Sequence, residues 1–240
     1  MARIERRSRE PGSLIVLPDR HLDLGCGKFP RNPYSRGTLC GVDIRALPHQ
    51  SSSELPDFDY RVANLAIDPI PFDDHSFGSV SAYDFIEHVP RILLSADGRN
   101  TVFPFIRLMD EIWRVLAPGG RFYALTPAYP NAEAFTDPTH VNIITDQTHT
   151  YFCGDEPLGG IYGFNGYFRA LDVRWMPRAK AHSPTAGPPQ VLPFAKRFAH
   201  GLRSFSRALR GNQTADKPVY LLWELEAVKH AARSPDVIRD

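Results

Sequence analysis

The chain has 240 residues, 42% of them hydrophobic, and a formal net charge of +1. That length suits one globular domain with a sizeable core, and the near-zero charge gives no global case for a nucleic-acid partner. Cys26, Cys40 and Cys153 form no C-x-x-C pair, which sets aside a zinc site or disulfide framework and points to free thiols in a reducing, cytoplasmic setting.

The N-terminal stretch "MARIERRSRE" is basic, but Glu5 and Glu10 argue against organelle targeting, so 1–19 reads as a solvated arm. "LIVL" at 14–17 is too short for a secretory signal, and no apolar run reaches the length of a membrane span. Short apolar runs at 20–25, 38–44, 58–65, 77–85 and 120–127 read as buried parallel strands. Between the last two, Ile106, Met109, Trp113 and Leu116 recur at helical spacing, and Pro118-Gly119-Gly120 predicts the stop of that helix. Runs at 166–176 and 218–228 read as an antiparallel pair at one sheet edge. The expected architecture is therefore an α/β open sheet with crossover helices. It forms one domain over 20–240, with a substrate loop at 128–165 and a Pro-rich, basic insertion at 177–217.

In such a sheet, ligands bind beyond the carboxyl ends of the strands. "HLDLGCGKFP" at 21–30 ends a strand on a loop where Gly25 and Gly27 let a ligand approach the backbone closely. The P-loop pattern is missing. The dinucleotide fingerprint also fails, because Lys28, Phe29 and Pro30 stand where its third glycine should follow. That weakens a nicotinamide-dependent oxidoreductase. Asp43, followed by Ile44, ends the second strand where an acid can accept hydrogen bonds from ribose hydroxyls. Asn64 and Leu65 close the third strand, where an amide could read an adenine edge and a leucine cover its face. The alternative for Asn64 is a turn cap.

Taken together, "LDLGCGKFP…GVDI…VANLAIDPIPFDDHSFGSVSAYDFIEHV…EIWRVLAPGGRF" resembles the class I S-adenosylmethionine-dependent methyltransferases over roughly 20–130. The resemblance implies a Rossmann-like seven-stranded sheet with helices on both faces and the last strand antiparallel. It implies S-adenosyl-L-methionine as cofactor, with Asp23, Gly25, Cys26 and Gly27 around its methionine portion. Asp43 and Ile44 would lie at the ribose, Asn64 and Leu65 at the adenine, and Ala82 and Tyr83 at the methionine ammonium. Gly78 departs from the family, which usually has Asp there.

Methyl transfer from a sulfonium is an in-line displacement, so the protein mainly aligns nucleophile, methyl and sulfur. A hydroxyl nucleophile also needs its proton removed, which a positioned base accelerates by about 10²–10⁴. His140 is the first candidate base and His149 the second, both on the polar loop after the fifth strand. If 84–88 is helical, Asp84, Glu87 and His88 share one face and could hold a divalent metal. The favoured reading is instead that Glu87 and His88 orient each other without a metal. In 191–211, Phe194, Phe198, Leu202, Phe205 and Leu209 form a stripe opposite Lys196, Arg197, Arg203, Arg207 and Arg210. This is the pattern of a helix docked on its own core or acting as a lid, of one at an anionic membrane surface near a lipid-linked substrate, or of one that meets RNA or another acidic partner. The expected function is O-methylation of a small-molecule or glycan-like acceptor. The alternatives are a non-catalytic S-adenosylmethionine-binding module and a nucleic-acid methyltransferase.

Overall fold

A computed structural model describes residues 16–46, 58–177, 180 and 217–229. The basic segment 191–211, most of the arm 1–19 and most of the insertion 177–217 lie outside the described residues.

Nine strands follow one another: β1 (Arg20–Leu24), β2 (Thr38–Asp43), β3 (Asp59–Val62), β4 (Phe77–Tyr83), β5 (Leu93–Leu94), β6 (Thr101–Val102), β7 (Leu116–Pro127), β8 (Phe168–Pro177) and β9 (Pro218–Ala227). Seven form one sheet in the order β3-β2-β1-β4-β7-β9-β8, and β5 and β6 make a separate small hairpin. The strands from β3 to β7 pair in parallel, whereas β9 runs antiparallel to both β7 and β8. The expected Rossmann-like seven-stranded sheet with an antiparallel last strand is thus present. The order reverses at β1, where the neighbours on its two sides are β2 and β4. Ligand sites of open α/β sheets form beside such a reversal.

The described residues include one α-helix, α1 (Pro104–Val115), and four short 3₁₀ turns. Pro104 starts α1 at a position where its missing N–H costs nothing. Phe105, Leu108, Met109, Ile112 and Val115 face the core, and of the expected stripe Met109 and Leu116 are fully buried. Ile106 and Trp113 are only partly buried. At its end the Arg114 carbonyl accepts from the His75 amide and the Lys229 ammonium, both at 3.0 Å. The Arg114 side chain ties Glu111, Asp74 and the carbonyls of Ile70 and Phe72 together.

The strand after α1 begins earlier than the glycines suggested. Leu116 already pairs with Phe77, and the register then shifts so that Arg121 meets Ser79. Gly119, at φ 77°, accommodates the extra residues as a bulge. The sheet closes on Trp223, Phe77, Phe122, Phe152 and Phe168, all fully buried. Each such side chain contributes about 1.5–3 kcal/mol of transfer free energy. Gly78 is explained by crowding: a Cβ there would lie 2.2 Å from the Pro18 carbonyl oxygen.

Candidate active site

The chain leaves β1 through two left-handed glycines, Gly25 at φ 64° and Gly27 at φ 59°. A Cβ on Gly25 would sit 2.5 Å from the Phe85 ring, so this turn packs against the chain leaving β4. The amides of Gly25 and Cys26 donate to the Val42 carbonyl at 2.8 and 3.2 Å. The Gly27 amide donates to Asp43 Oδ2 at 2.9 Å. Cys26 is buried against Gly41, where a Cβ would fall 2.5 Å from its sulfur. Its thiol is pushed far up by burial, so it is a packing residue rather than a nucleophile.

Burial disfavours ionisation of Asp43, but the bonds from the Arg45 side chain and amide and from the Gly27 amide outweigh it and hold the carboxyl below its usual range. Arg45 Nε lies 3.0 Å from Asp43 Oδ1, on a side chain that is 74% exposed.

Asp23 lies 1% exposed under the glycine loop. Its Oδ2 accepts from the Arg31 amide at 2.8 Å and its Oδ1 from the Ser81 hydroxyl at 2.5 Å. Ser81 Oγ and Ser79 Oγ both sit 2.8 Å from the two ring nitrogens of His21. With Asp23 ionised, the Ser81 proton goes to it, so His21 Nε2 donates to Ser81 and Nδ1 accepts from Ser79. Burial pushes Asp23 up to about 7 and, with the Arg36 charge, His21 down to about 3. Sequence reasoning missed His21, Ser79 and Ser81, although period-2 spacing puts 21 and 23 on one face of β1 and 79 and 81 on one face of β4.

Ala82 and Tyr83, both buried, complete β4 beside the loop, and the Arg31 guanidinium lies 4.5 Å over the Tyr83 ring. At the β2 and β3 ends, Ile44 is 62% and Val62 55% exposed, as an apolar seat for an aromatic base would be. Asn64 takes its alternative role. Its Oδ1 caps the Ala66 amide at 3.1 Å, and its carbonyl accepts from Ile67 and Asp68. Leu65 is buried in the core.

Residues 84–88 do not form the helical face considered from the sequence. Asp84 sits at φ 47°, its amide donating to the Leu125 carbonyl at 2.9 Å, and only Ile86–His88 make a 3₁₀ turn. The loop after β7 docks on that turn. The Val141 and Asn142 amides donate to the Glu87 carbonyl at 3.0 and 2.9 Å, and the Asn142 amide group to the Ile86 carbonyl at 3.0 Å. Arg91 Nε in turn donates to Asn142 Oδ1 at 2.6 Å. This docking brings His140 against Glu87 and His88. His140 Nε2 is 4.0 Å from Glu87 Oε1, and the two imidazoles meet edge to face at 4.7 Å.

Glu87 is 1% exposed and accepts from the Thr126 hydroxyl at 2.8 Å through Oε2. Burial raises its carboxyl to about 8. Beside this group opens a cavity of about 500 Å³ lined by Asp84, His88, Glu133, Asp137, His140 and Tyr220, among others. His149 lies apart from that lining. Its ring stands 6.0 Å from the buried Trp223, and burial lowers its pKa.

The left-handed glycines, the Asp43 carboxylate within reach of their loop and the exposed Ile44 fit S-adenosylmethionine. Asp43 would hold the sugar, and the backbone of 25–27 with that of Ala82 and Tyr83 the methionine portion.

Residues 22–124 match the family model described as a methyltransferase domain. No curated protein matches the chain. Among solved structures, an S-adenosylmethionine-dependent methyltransferase from Archaeoglobus fulgidus is 14% identical, with 87% of this chain and 86% of that chain covered at a TM-score of 0.47. One from Mesorhizobium loti is 15% identical, with 88% and 93% covered at 0.42. A chain from the complex of the Haloferax volcanii Trm112 methyltransferase activator with a methyltransferase is 15% identical, with 90% and 85% covered at 0.49. None of these likenesses bears on what this chain methylates. Among the described residues no helix is long and apolar enough to cross a membrane. The strands that carry the glycine loop and Asp43 thus lie within a methyltransferase domain spanning residues 22–124.

Proposed function

We propose that the protein transfers a methyl group to a hydroxyl of a small-molecule or glycan-like acceptor seated in the cavity beside His140. One observation carries this reading. His140 Nδ1 is held by the Ala134 carbonyl at 3.1 Å, so its proton is on Nδ1 and the lone pair on Nε2 is left for the site. An imidazole anchored through one N–H can accept a hydroxyl proton at its other nitrogen.

The cavity supports the acceptor class. Its volume suits a small molecule. Asp84, Glu133 and Asp137 on its walls accept hydrogen bonds, which the many hydroxyls of a glycan donate. The same carboxylates repel phosphates, so a nucleic acid is the weaker acceptor. S-adenosylmethionine supplies a methyl group already activated by the sulfonium charge. The chain supplies alignment: the glycine loop with Asp43 on one side of the β4 end, and the docked loop with His140 on the other. For a lipid-linked acceptor, the basic stripe of 191–211 would supply contact with an anionic membrane surface. The free thiols Cys26, Cys40 and Cys153 suit a reducing cytoplasm.

The test is transfer of labelled methyl to a panel of sugars and small hydroxyl compounds, with amines and RNA alongside. Product on a hydroxyl, reduced at least 100-fold in His140→Ala, supports the reading. Transfer confined to amines or RNA overturns it, and binding of the cofactor with no turnover on any acceptor favours the non-catalytic module.

A further inference from the structure

We infer that Glu87, His88 and His140 form a binding site for one divalent transition-metal cation at the floor of the acceptor cavity. The inference rests on reading that cavity as the acceptor site, and it replaces the Asp84–Glu87–His88 set considered from the sequence.

The ligand atoms of these three residues lie within 4.8 Å of one another. Ligands about 2.0–2.1 Å from an ion lie roughly 3.3 Å apart in a tetrahedral shell, so closure needs about 1–1.5 Å of side-chain movement. The half-buried His88 can make it.

Both imidazoles are set in the tautomer a metal requires. Thr139 Oγ1 gives its proton to Asp137 Oδ1 at 2.6 Å and stands 2.9 Å from His88 Nδ1. His88 Nδ1 must therefore donate, which leaves Nε2 with its lone pair. His140 likewise donates Nδ1–H to the Ala134 carbonyl. Metal-bound histidines fix their second nitrogen on a carbonyl or carboxylate in this way. Here one does so directly and the other through a threonine.

The third ligand is the observation that separates a site from a chance cluster. Glu87 is 1% exposed, its Oε2 is held by Thr126, and its Oε1 is buried with no hydrogen-bond partner. A buried carboxylate oxygen without a partner costs about 1–3 kcal/mol or more. A cation between Oε1 and the two Nε2 atoms would remove that cost.

Two imidazoles and one carboxylate favour zinc, iron, cobalt or manganese over magnesium or calcium, which prefer all-oxygen shells. Three protein ligands leave positions open toward the cavity. A hydroxyl reaching such an ion would be acidified by it; with the ion bound His140 is a ligand, and the proton would leave to a wall carboxylate such as Asp137 or to solvent.

The test uses tag-free full-length protein and Co²⁺ alone, followed by visible absorption and equilibrium dialysis. One Co²⁺ per chain with a d–d band is expected, displaced by Zn²⁺ and not by equimolar Mg²⁺. His88→Ala and His140→Ala should each bind Co²⁺ at least about 100-fold more weakly, and Thr139→Val about 10–100-fold more weakly, with unchanged far-ultraviolet circular dichroism. Should His140→Ala unfold, Glu87→Gln, which keeps an acceptor for Thr126, decides by the same loss. No bound Co²⁺, or binding unchanged in these variants, overturns the inference. Methyl transfer to hydroxyls undiminished by chelators would leave the proposed function standing and remove the metal from it. Co²⁺ bound at this site without hydroxyl methylation would do the reverse.

Discussion

The Gly27 amide donates to Asp43 Oδ2 at 2.9 Å, joining the glycine loop after β1 to the end of β2. The carboxylate that would grip a ribose is therefore already placed by the loop that would hold the methionine portion. Preorganisation of this kind lowers the ordering cost of binding.

Arg45 shares that carboxylate from an exposed position. Arg45→Ala should leave S-adenosylmethionine affinity unchanged or raise it a few-fold, because the ribose no longer competes with the guanidinium. Isothermal titration calorimetry checks this, and a loss of more than tenfold would make Arg45 a cofactor contact instead.

Gly25 combines a left-handed backbone with a close approach to Phe85. Gly25→Ala should lower unfolding free energy by about 1–3 kcal/mol, measured by urea denaturation. A loss below about 0.5 kcal/mol would show that the Phe85 ring gives way freely.

The parallel strands and the glycine loop were legible because they depend on local pattern: short apolar runs, and glycines at a strand end. The start of β7 was not. Pairing of Leu116 with Phe77 begins the strand before the glycines, and Gly119 becomes a bulge within it. The face of α1 was legible only in part because Ile106 and Trp113 are as apolar as Phe105 and Ile112, so periodicity alone could not rank the two stripes. His140 was singled out as the first candidate base, and it lines the cavity, yet its company was not visible. Asn142 docks its loop through bonds to Ile86 and Arg91 across the fold, the Ala134 carbonyl anchors its ring, and nothing in residues 84–88 announces a 3₁₀ turn rather than a helix. Asn64 shows the opposite case, since its turn-capping role was already present in its residue type.

The buried chain Ser79–His21–Ser81–Asp23 predicts pH-dependent stability with two signs. Asp23 is raised to about 7 from 3.8, so the fold prefers its protonated form. Wild-type stability relative to Asp23→Asn should fall as pH rises from about 4 to 7 and level off above. His21 is lowered to about 3 from 6.5, so the fold prefers it neutral. Wild-type stability relative to His21→Gln should be level above about 6.5 and fall as pH drops toward 3. Urea midpoints at pH 4, 5.5, 7 and 8 test both, and slopes of reversed sign would contradict the buried assignment.

Asn142 is 3% exposed and holds the docked loop through Ile86 and Arg91. Asn142→Leu strands the Ile86 carbonyl, at about 1–3 kcal/mol, and removes the acceptor of Arg91 Nε. Methyl transfer should fall at least tenfold, with faster proteolysis within 137–145. Activity retained at wild-type level would mean that His140 is placed by other contacts.

Calorimetric titration of the purified protein with S-adenosylmethionine, S-adenosylhomocysteine and NAD, repeated on Asp43→Ala, tests the cofactor site most directly. Both sulfur nucleosides should bind at one per chain and NAD should give no heat. Asp43→Ala should weaken the nucleosides roughly 10–100-fold, the 1.5–3 kcal/mol of hydrogen bonds to a charged group. Saturable NAD binding, or nucleoside affinity indifferent to Asp43, would contradict the site described here.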